Sequence, residues 1–106
     1  MNDMSKGDLI PRLLRQSKVR LVMLVFTSEW SGAAQMLKTK LEGLQADEKY
    51  DFEVVYVELD EVPDLKVQFN VSEVPTTVVM RNHEIANIFK GAHSRGKLLE
   101  KFAAHL

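Results

Sequence analysis

Phe26-Thr27-Ser28-Glu29-Trp30-Ser31-Gly32-Ala33-Ala34 is the stretch on which the fold of this chain turns. It overlaps the end of an apolar run, Leu21-Val22-Met23-Leu24-Val25-Phe26, that is β-rich and apolar on both parities. That is the pattern of a strand buried on both faces. The stretch then opens a helical pattern: Ser31 can cap a helix running to about Lys49, with Ala34, Leu37, Leu41 and Leu44 along one side. Phe52 to Leu59 follows as another central strand, through Val54-Val55-Tyr56-Val57. Two buried strands joined through a helix imply a parallel βαβ unit with a right-handed crossover.

Outward from this unit the pattern continues on both sides. Upstream, Asp8 can cap a helix whose first turn holds Pro11 and whose apolar face is Leu9, Ile10, Leu13 and Leu14. Downstream, Asp60 or Glu61 caps a short helix with Pro63 in its first turn and Leu65 and Phe69 pointing inward. Asn70 is placed to take the left-handed stop. Thr76 to Met80 and Glu84 to Phe89 make a hairpin across Arg81-Asn82-His83. Ser94 caps a last helix with Leu98, Leu99, Phe102, Ala103 and Leu106 at helical spacing. The order α-β-α-β-α-β-β-α predicts an α/β sandwich of four strands and four helices, with a mixed sheet covered on both faces.

Composition sets outer limits. The chain has 106 residues, 45% hydrophobic and 27% charged, with a net charge of −1, which suits one domain spanning residues 1–106. Near-neutral charge with interspersed signs argues against a nucleic-acid surface. No apolar run approaches the roughly 20 residues of a membrane span. Met1-Asn2-Asp3-Met4-Ser5-Lys6 lacks an apolar h-region, so no signal peptide is expected and a cytoplasmic address follows by default. There is no cysteine, which excludes thiol exchange, disulfides and thiolate metal sites. The histidines His83, His93 and His105 are scattered, His83 in a turn and His105 near the C-terminus, both expected to be exposed. The acidic group Glu58, Asp60, Glu61 and Asp64 lacks the glycine turn of a calcium loop, so no metal and no cofactor is expected.

With those elements placed, the chain resembles the thioredoxin family over nearly its whole length. A strand ending in Phe26 leads to Glu29-Trp30 and a turn with Gly32 in its middle, where a thioredoxin carries Trp-Cys-Gly-Pro-Cys. Leu59-Asp60 ends the next strand, Val74-Pro75-Thr76 stands at the family's cis-proline loop, and Lys90-Gly91-Ala92 precedes the last helix. Each motif is weak alone; their order and spacing carry the resemblance. It implies a three-layer α/β/α sandwich with a cis peptide before Pro75. The family's additional N-terminal edge strand has no convincing counterpart in Met1 to Gly7.

The departures are as informative as the matches. The resemblance puts Ser31 and Ala34 at the two thiol positions and Ala33 at the proline between them. It puts Val25 where the family has a buried proton-transferring aspartate, and Tyr56 where a lysine commonly partners it. A buried carboxylate is costly to keep and persists only where it is useful. Loss of all these devices together favours natural decay of the dithiol site over an engineered cysteine-to-serine form of an oxidoreductase.

Two classes of function follow. The first is a binding module: the degenerate turn Trp30, Ser31, Gly32, Ala33 and Ala34 carries no catalytic group, and the resemblance implies a groove formed by Trp30, Val74, Pro75, Thr76, Gly91 and Ala92. There a protein or extended peptide segment would pair with the backbone before Pro75, with Trp30 as an aromatic anchor. The bland alternative is that Pro75 is a folding relic and Trp30 only covers the helix start. The second class is a glutathione-binding, transferase-like activity using Ser31, or a cysteine-substituted oxidoreductase. A nucleophilic serine needs a base in reach, and only His93, after the Gly91 loop, is a candidate. Capping is the simpler role for Ser31. No thiol-disulfide oxidoreductase activity is expected, and a weak homodimer through an edge strand or the groove stays open.

Overall fold

The computed structural model describes residues 8–106, so the edge-strand question raised by Met1 to Gly7 lies outside the described residues. Helix α1 (Leu9–Gln16), strand β1 (Leu21–Thr27), helix α2 (Gly32–Gln45) and strand β2 (Phe52–Glu58) come first. Helix α3 (Pro63–Gln68), strands β3 (Thr76–Arg81) and β4 (Glu84–Lys90) and helix α4 (Arg95–Phe102) follow. The element order is the one the sequence predicts. The sheet runs β2-β1-β3-β4, with β1 parallel to β2 and antiparallel to β3, and β3 antiparallel to β4.

Strand β1 is the spine. Its alternate residues Val22, Leu24 and Phe26 pack with Leu9, Ile10 and Leu13 of α1 and Leu65 of α3. The intervening Leu21, Met23 and Val25 pack on the other face with Leu37, Leu41 and Leu44 of α2 and Leu98 and Phe102 of α4. Helices therefore cover both faces, giving three layers. Strand β2 departs from expectation: it lies at the edge of the sheet, and six of its seven residues are only half-buried, against full burial of β1 up to Phe26. Apolar residues at both parities report helices above and below a strand, and carry no information about neighbours in the hydrogen-bonding direction.

Element ends show where local chemistry prevails. Ser31 Oγ accepts the Ala34 N–H at 3.1 Å and Ser94 Oγ accepts the Lys97 N–H at 3.3 Å, as caps should. Asp8 stands at the N-cap of α1 but its side chain makes no capping bond. At α3 the N-cap is Val62, with Pro63 as the first helical residue; Asp60 and Glu61 instead lie in a 3₁₀ turn, Leu59–Glu61. Helix α2 stops at Gln45, short of Lys49, where the Asp47 carboxylate accepts the Lys49 N–H at 3.1 Å and supports a turn in place of the helix. Helix α4 stops at Phe102, with Ala103–His105 tightening to a 3₁₀ turn and Leu106 left 42% exposed.

The hairpin turn is two residues long, Asn82-His83, both with positive φ (58° and 67°), which suits the twist of the flanking strands. Arg81 therefore belongs to β3. Asn70 takes the left-handed conformation after α3, with φ 53°.

Candidate functional site

The sheet register decides what meets at the end of β1. Phe26 pairs with Thr76, and Thr76 pairs with Lys90. The turn after β1, the loop before β3 and the loop after β4 therefore emerge side by side. The Gly91 N–H donates to the Pro75 carbonyl at 2.9 Å. Gly91 makes this bond with φ +86°, a backbone that glycine alone adopts without strain. The Val74–Pro75 peptide is cis. Lys40 of α2 donates from Nζ to the His93 carbonyl at 3.0 Å, tying the Gly91 loop to the helix that starts at Gly32.

The turn itself is held by its serines. Ser28 Oγ accepts the Trp30 N–H at 3.2 Å, and the Ser31 N–H donates to the Ser28 carbonyl at 3.1 Å. This clamped backbone presents Trp30 with 88% of its surface exposed. A side chain so exposed covers little of the helix start. Gly32 and Ala33 are exposed, while Ala34 is buried at the foot of α2. Among the remaining residues of the implied groove, Val74, Gly91 and Ala92 are half-buried and reachable from solvent. Pro75 and Thr76 are buried beneath them, and the Thr76 hydroxyl donates to the Glu73 carbonyl at 2.8 Å. Those two residues form support rather than surface.

Ser31 has no visible base. Its oxygen is engaged by the Ala34 N–H. His93 Nε2 lies 2.7 Å from the Lys90 carbonyl, which can only accept, so that nitrogen carries the proton. The His93 ring packs against Phe89, with centroids 5.8 Å apart. Among the described residues Ser31 Oγ has the Ala34 N–H as its hydrogen-bond partner and no histidine nitrogen, which is the arrangement of a cap.

Beneath the turn, Tyr56, Val25 and Thr77 form one row across β2, β1 and β3. Val25 is 1% exposed, and the flanking Tyr56 Oη and Thr77 Oγ1 are buried without a hydrogen-bond partner among the described residues. Burial first, and Glu42 second, push the Tyr56 phenol up from 10.0 to about 12. The phenol is neutral when protonated, so an unfolded chain releases this proton before the folded one does. Stability is therefore expected to fall as pH rises from 10 towards 12, and Tyr56→Phe should flatten that decline. Urea titrations across this range, with phenolate absorbance on the native protein, provide the check. An equal decline in the variant would show that other groups drive it.

Some positions were invisible to sequence reasoning. Ser17 is fully buried; its hydroxyl donates to the Leu14 carbonyl at 2.6 Å and accepts the His83 N–H at 2.9 Å, fastening the hairpin to α1. His83 is exposed as expected and borders a cavity of about 620 Å³ between α1 and α3. His105 is half-buried rather than exposed, and its carbonyl accepts from Arg81 Nε at 3.0 Å. Nothing local marks Ser17; only the packing of the hairpin on α1 gives it two partners.

Comparison with known proteins agrees with this geometry. The thioredoxin family matches residues 12–104. Thioredoxin-T of Drosophila melanogaster is 31% identical over 101 residues, covering 93% of this chain and 64% of its own length. Thioredoxin H2 of Arabidopsis thaliana is 34% identical over 70 residues, covering 65% of this chain and 52% of its own. The chain thus spans between half and two thirds of each of these two relatives. The X-ray structure of Fasciola hepatica thioredoxin superposes with a TM-score of 0.77 at 26% identity, covering 94% of this chain and 93% of that one. Among the described residues, no helix is long and apolar enough to cross a membrane.

Proposed function

The chain belongs to the thioredoxin family, and we propose that it is a redox-inactive member that binds an extended segment of a partner protein. With no cysteine in the sequence it cannot exchange thiols with a disulfide. The surface assigned to the partner is Trp30 with Val74, Gly91 and Ala92, resting on buried Pro75 and Thr76. The single observation that carries this reading is Trp30, an aromatic side chain 88% exposed on a turn clamped by hydrogen bonds. Held aromatics with two rotatable bonds are effective anchors because little entropy is lost on contact.

A second feature supports the same reading. Among the described residues, the Val74 N–H and carbonyl make no backbone hydrogen bond, leaving one donor and one acceptor for an added strand. A transferase-like use of Ser31 finds no comparable support, because its oxygen already serves the helix.

The test uses peptides selected from a display library on the unmodified protein. Trp30→Ala is expected to weaken their binding at least tenfold, about 1.4 kcal/mol or more. Val67→Ala, which trims another exposed apolar residue (79%), should bind like the unmodified protein. Circular dichroism would confirm that both variants fold. Equal affinity in all three proteins would remove this surface from consideration.

A further inference from the structure

We infer that β2 is a dimerisation edge: a second copy of this chain pairs with it antiparallel, about a two-fold axis at Val54. The pairing joins two four-stranded sheets into one of eight strands. It is independent of the Trp30 docking surface.

The two edges of the sheet are built differently. At the β4 edge, the Gly91 N–H bonds the Pro75 carbonyl, so alternation along the antiparallel ladder turns the Ile88 N–H away from β3. Asn87 Oδ1 accepts that N–H at 2.8 Å, while Asn87 Nδ2 donates to the Lys101 carbonyl at 3.1 Å. A register shift at Val79/Met80 also interrupts the ladder. A bulge, and a side chain laid over an edge donor, both discourage strand addition. The β2 edge has neither device. Among the described residues no strand lies outside it, and it pairs with β1 in unbroken register from Leu21–Phe52 to Thr27–Glu58, with no proline. Val55 and Val57 rest on one core cluster and Val54 and Tyr56 on the other, yet all four stay half-buried. Such an apolar edge, seven residues long, is a template for another strand.

The occupant is a second copy because the strand is complementary to itself. About an axis at Val54, Tyr56 of each copy stands across from Phe52 of the other, and Val55 across from Glu53. Aromatic cross-strand pairs stabilise a sheet, and no glutamate here stands directly across from another. At each end Glu58 comes across from Tyr50, where cations gather: Lys49 Nζ lies 5.3 Å and Arg95 Cζ 5.7 Å from the ring centroid. Glu58 has no cation within 4.0 Å among the described residues of its own copy, and the two-fold axis supplies a pair of them twice over. Pairing β2 with β2 also uses both open edges and leaves a blunted β4 at either side, so assembly closes at two copies. The paired strands run in opposite directions and Trp30 follows the end of β1, so the two Trp30 turns lie at opposite ends and stay uncovered.

Sedimentation equilibrium of the full chain is the first measurement. A reversible dimer with a Kd of roughly 10–100 μM is expected, because one strand pair buries an area at the low end of specific interfaces. In NMR spectra of isotope-labelled protein, concentration-dependent shifts should centre on Phe52–Glu58 and spare Glu84–Lys90. Glu58→Lys sets like charges together at both ends and should weaken the dimer about tenfold. Mixing it with Lys49→Glu/Arg95→Glu should recover most of that loss, a rescue that a merely misfolded variant would not give. Ile88→Lys, on the β4 edge, should dimerise like the unmodified chain. A chain that stays monomeric up to about 1 mM would overturn the proposal, whatever other strand then holds the β2 edge. So would a dimer whose shifts map to β4 or to the Trp30 face, or one that Glu58→Lys leaves undiminished.

Discussion

Val25→Asp is expected to cost about 3–5 kcal/mol of stability at pH 7, the scale for an uncompensated buried charge. Val25 is 1% exposed in the middle of β1, with Leu37 and Leu41 in the same apolar cluster. Burial would raise the new carboxyl's pKa above its unfolded value of about 3.9. The unfolded state would then ionise first as pH rises. The penalty is therefore smaller near pH 4, where the cost of burying a neutral carboxyl remains, and grows towards neutrality. Urea denaturation at pH 4 and pH 7, with Val25→Asn as the uncharged control, separates charge from polarity. A loss below about 1 kcal/mol at pH 7 would show that the unpartnered Tyr56 and Thr77 hydroxyls accommodate the carboxylate, and would remove the energetic case for its absence.

Returning both sulfurs gives the other large effect. The protein as it stands should show no turnover in dithiothreitol-driven insulin reduction, having no thiol to offer. Ser31→Cys/Ala34→Cys should show a measurable rate, because the Ser31 side chain already reaches within 3.1 Å of the Ala34 backbone, where a Cys-x-x-Cys pair would sit. That rate should stay about a hundredfold or more below an intact thioredoxin, since general acid–base assistance is commonly worth 10²–10⁴-fold and Val25 offers none. Adding Val25→Asp should raise turnover while lowering stability, so the two measurements should move in opposite directions. A double variant matching an intact family member would refute the view that the proton-handling residues are missing.

These outcomes bear on why the site looks as it does. Ser31 keeps the capping bond, Gly91 keeps its bond to Pro75, and Trp30 stays presented. Each of those contributions is backbone geometry or shape. No thiol stands at Ser31 or Ala34, and Val25 carries no proton-handling group. Non-exchanging docking is the reading proposed for that remainder.

Much of this was legible locally. The unbroken apolar run Leu21 to Phe26 specified a strand buried on both faces, and Ser31 and Ser94 specified helix starts, because periodicity and capping are short-range. The caps of α1 and α3 were not legible: Asp8 and Asp60 have the right side chains, yet Asp8 makes no capping bond and Asp60 lies inside a 3₁₀ turn ahead of α3. The edge position of β2 was hidden for a related reason, since burial by helices and burial by neighbouring strands leave the same mark on a sequence.

By itself, then, the sequence determined the order of elements, the two-faced burial of β1 and the absence of thiol chemistry, all properties of composition and near-neighbour spacing. Only the tertiary structure decided which residues of the groove reach solvent and how Ser17 fastens the hairpin. Those depend on strand register and layer packing, which bring together residues tens of positions apart through interactions that no single segment carries.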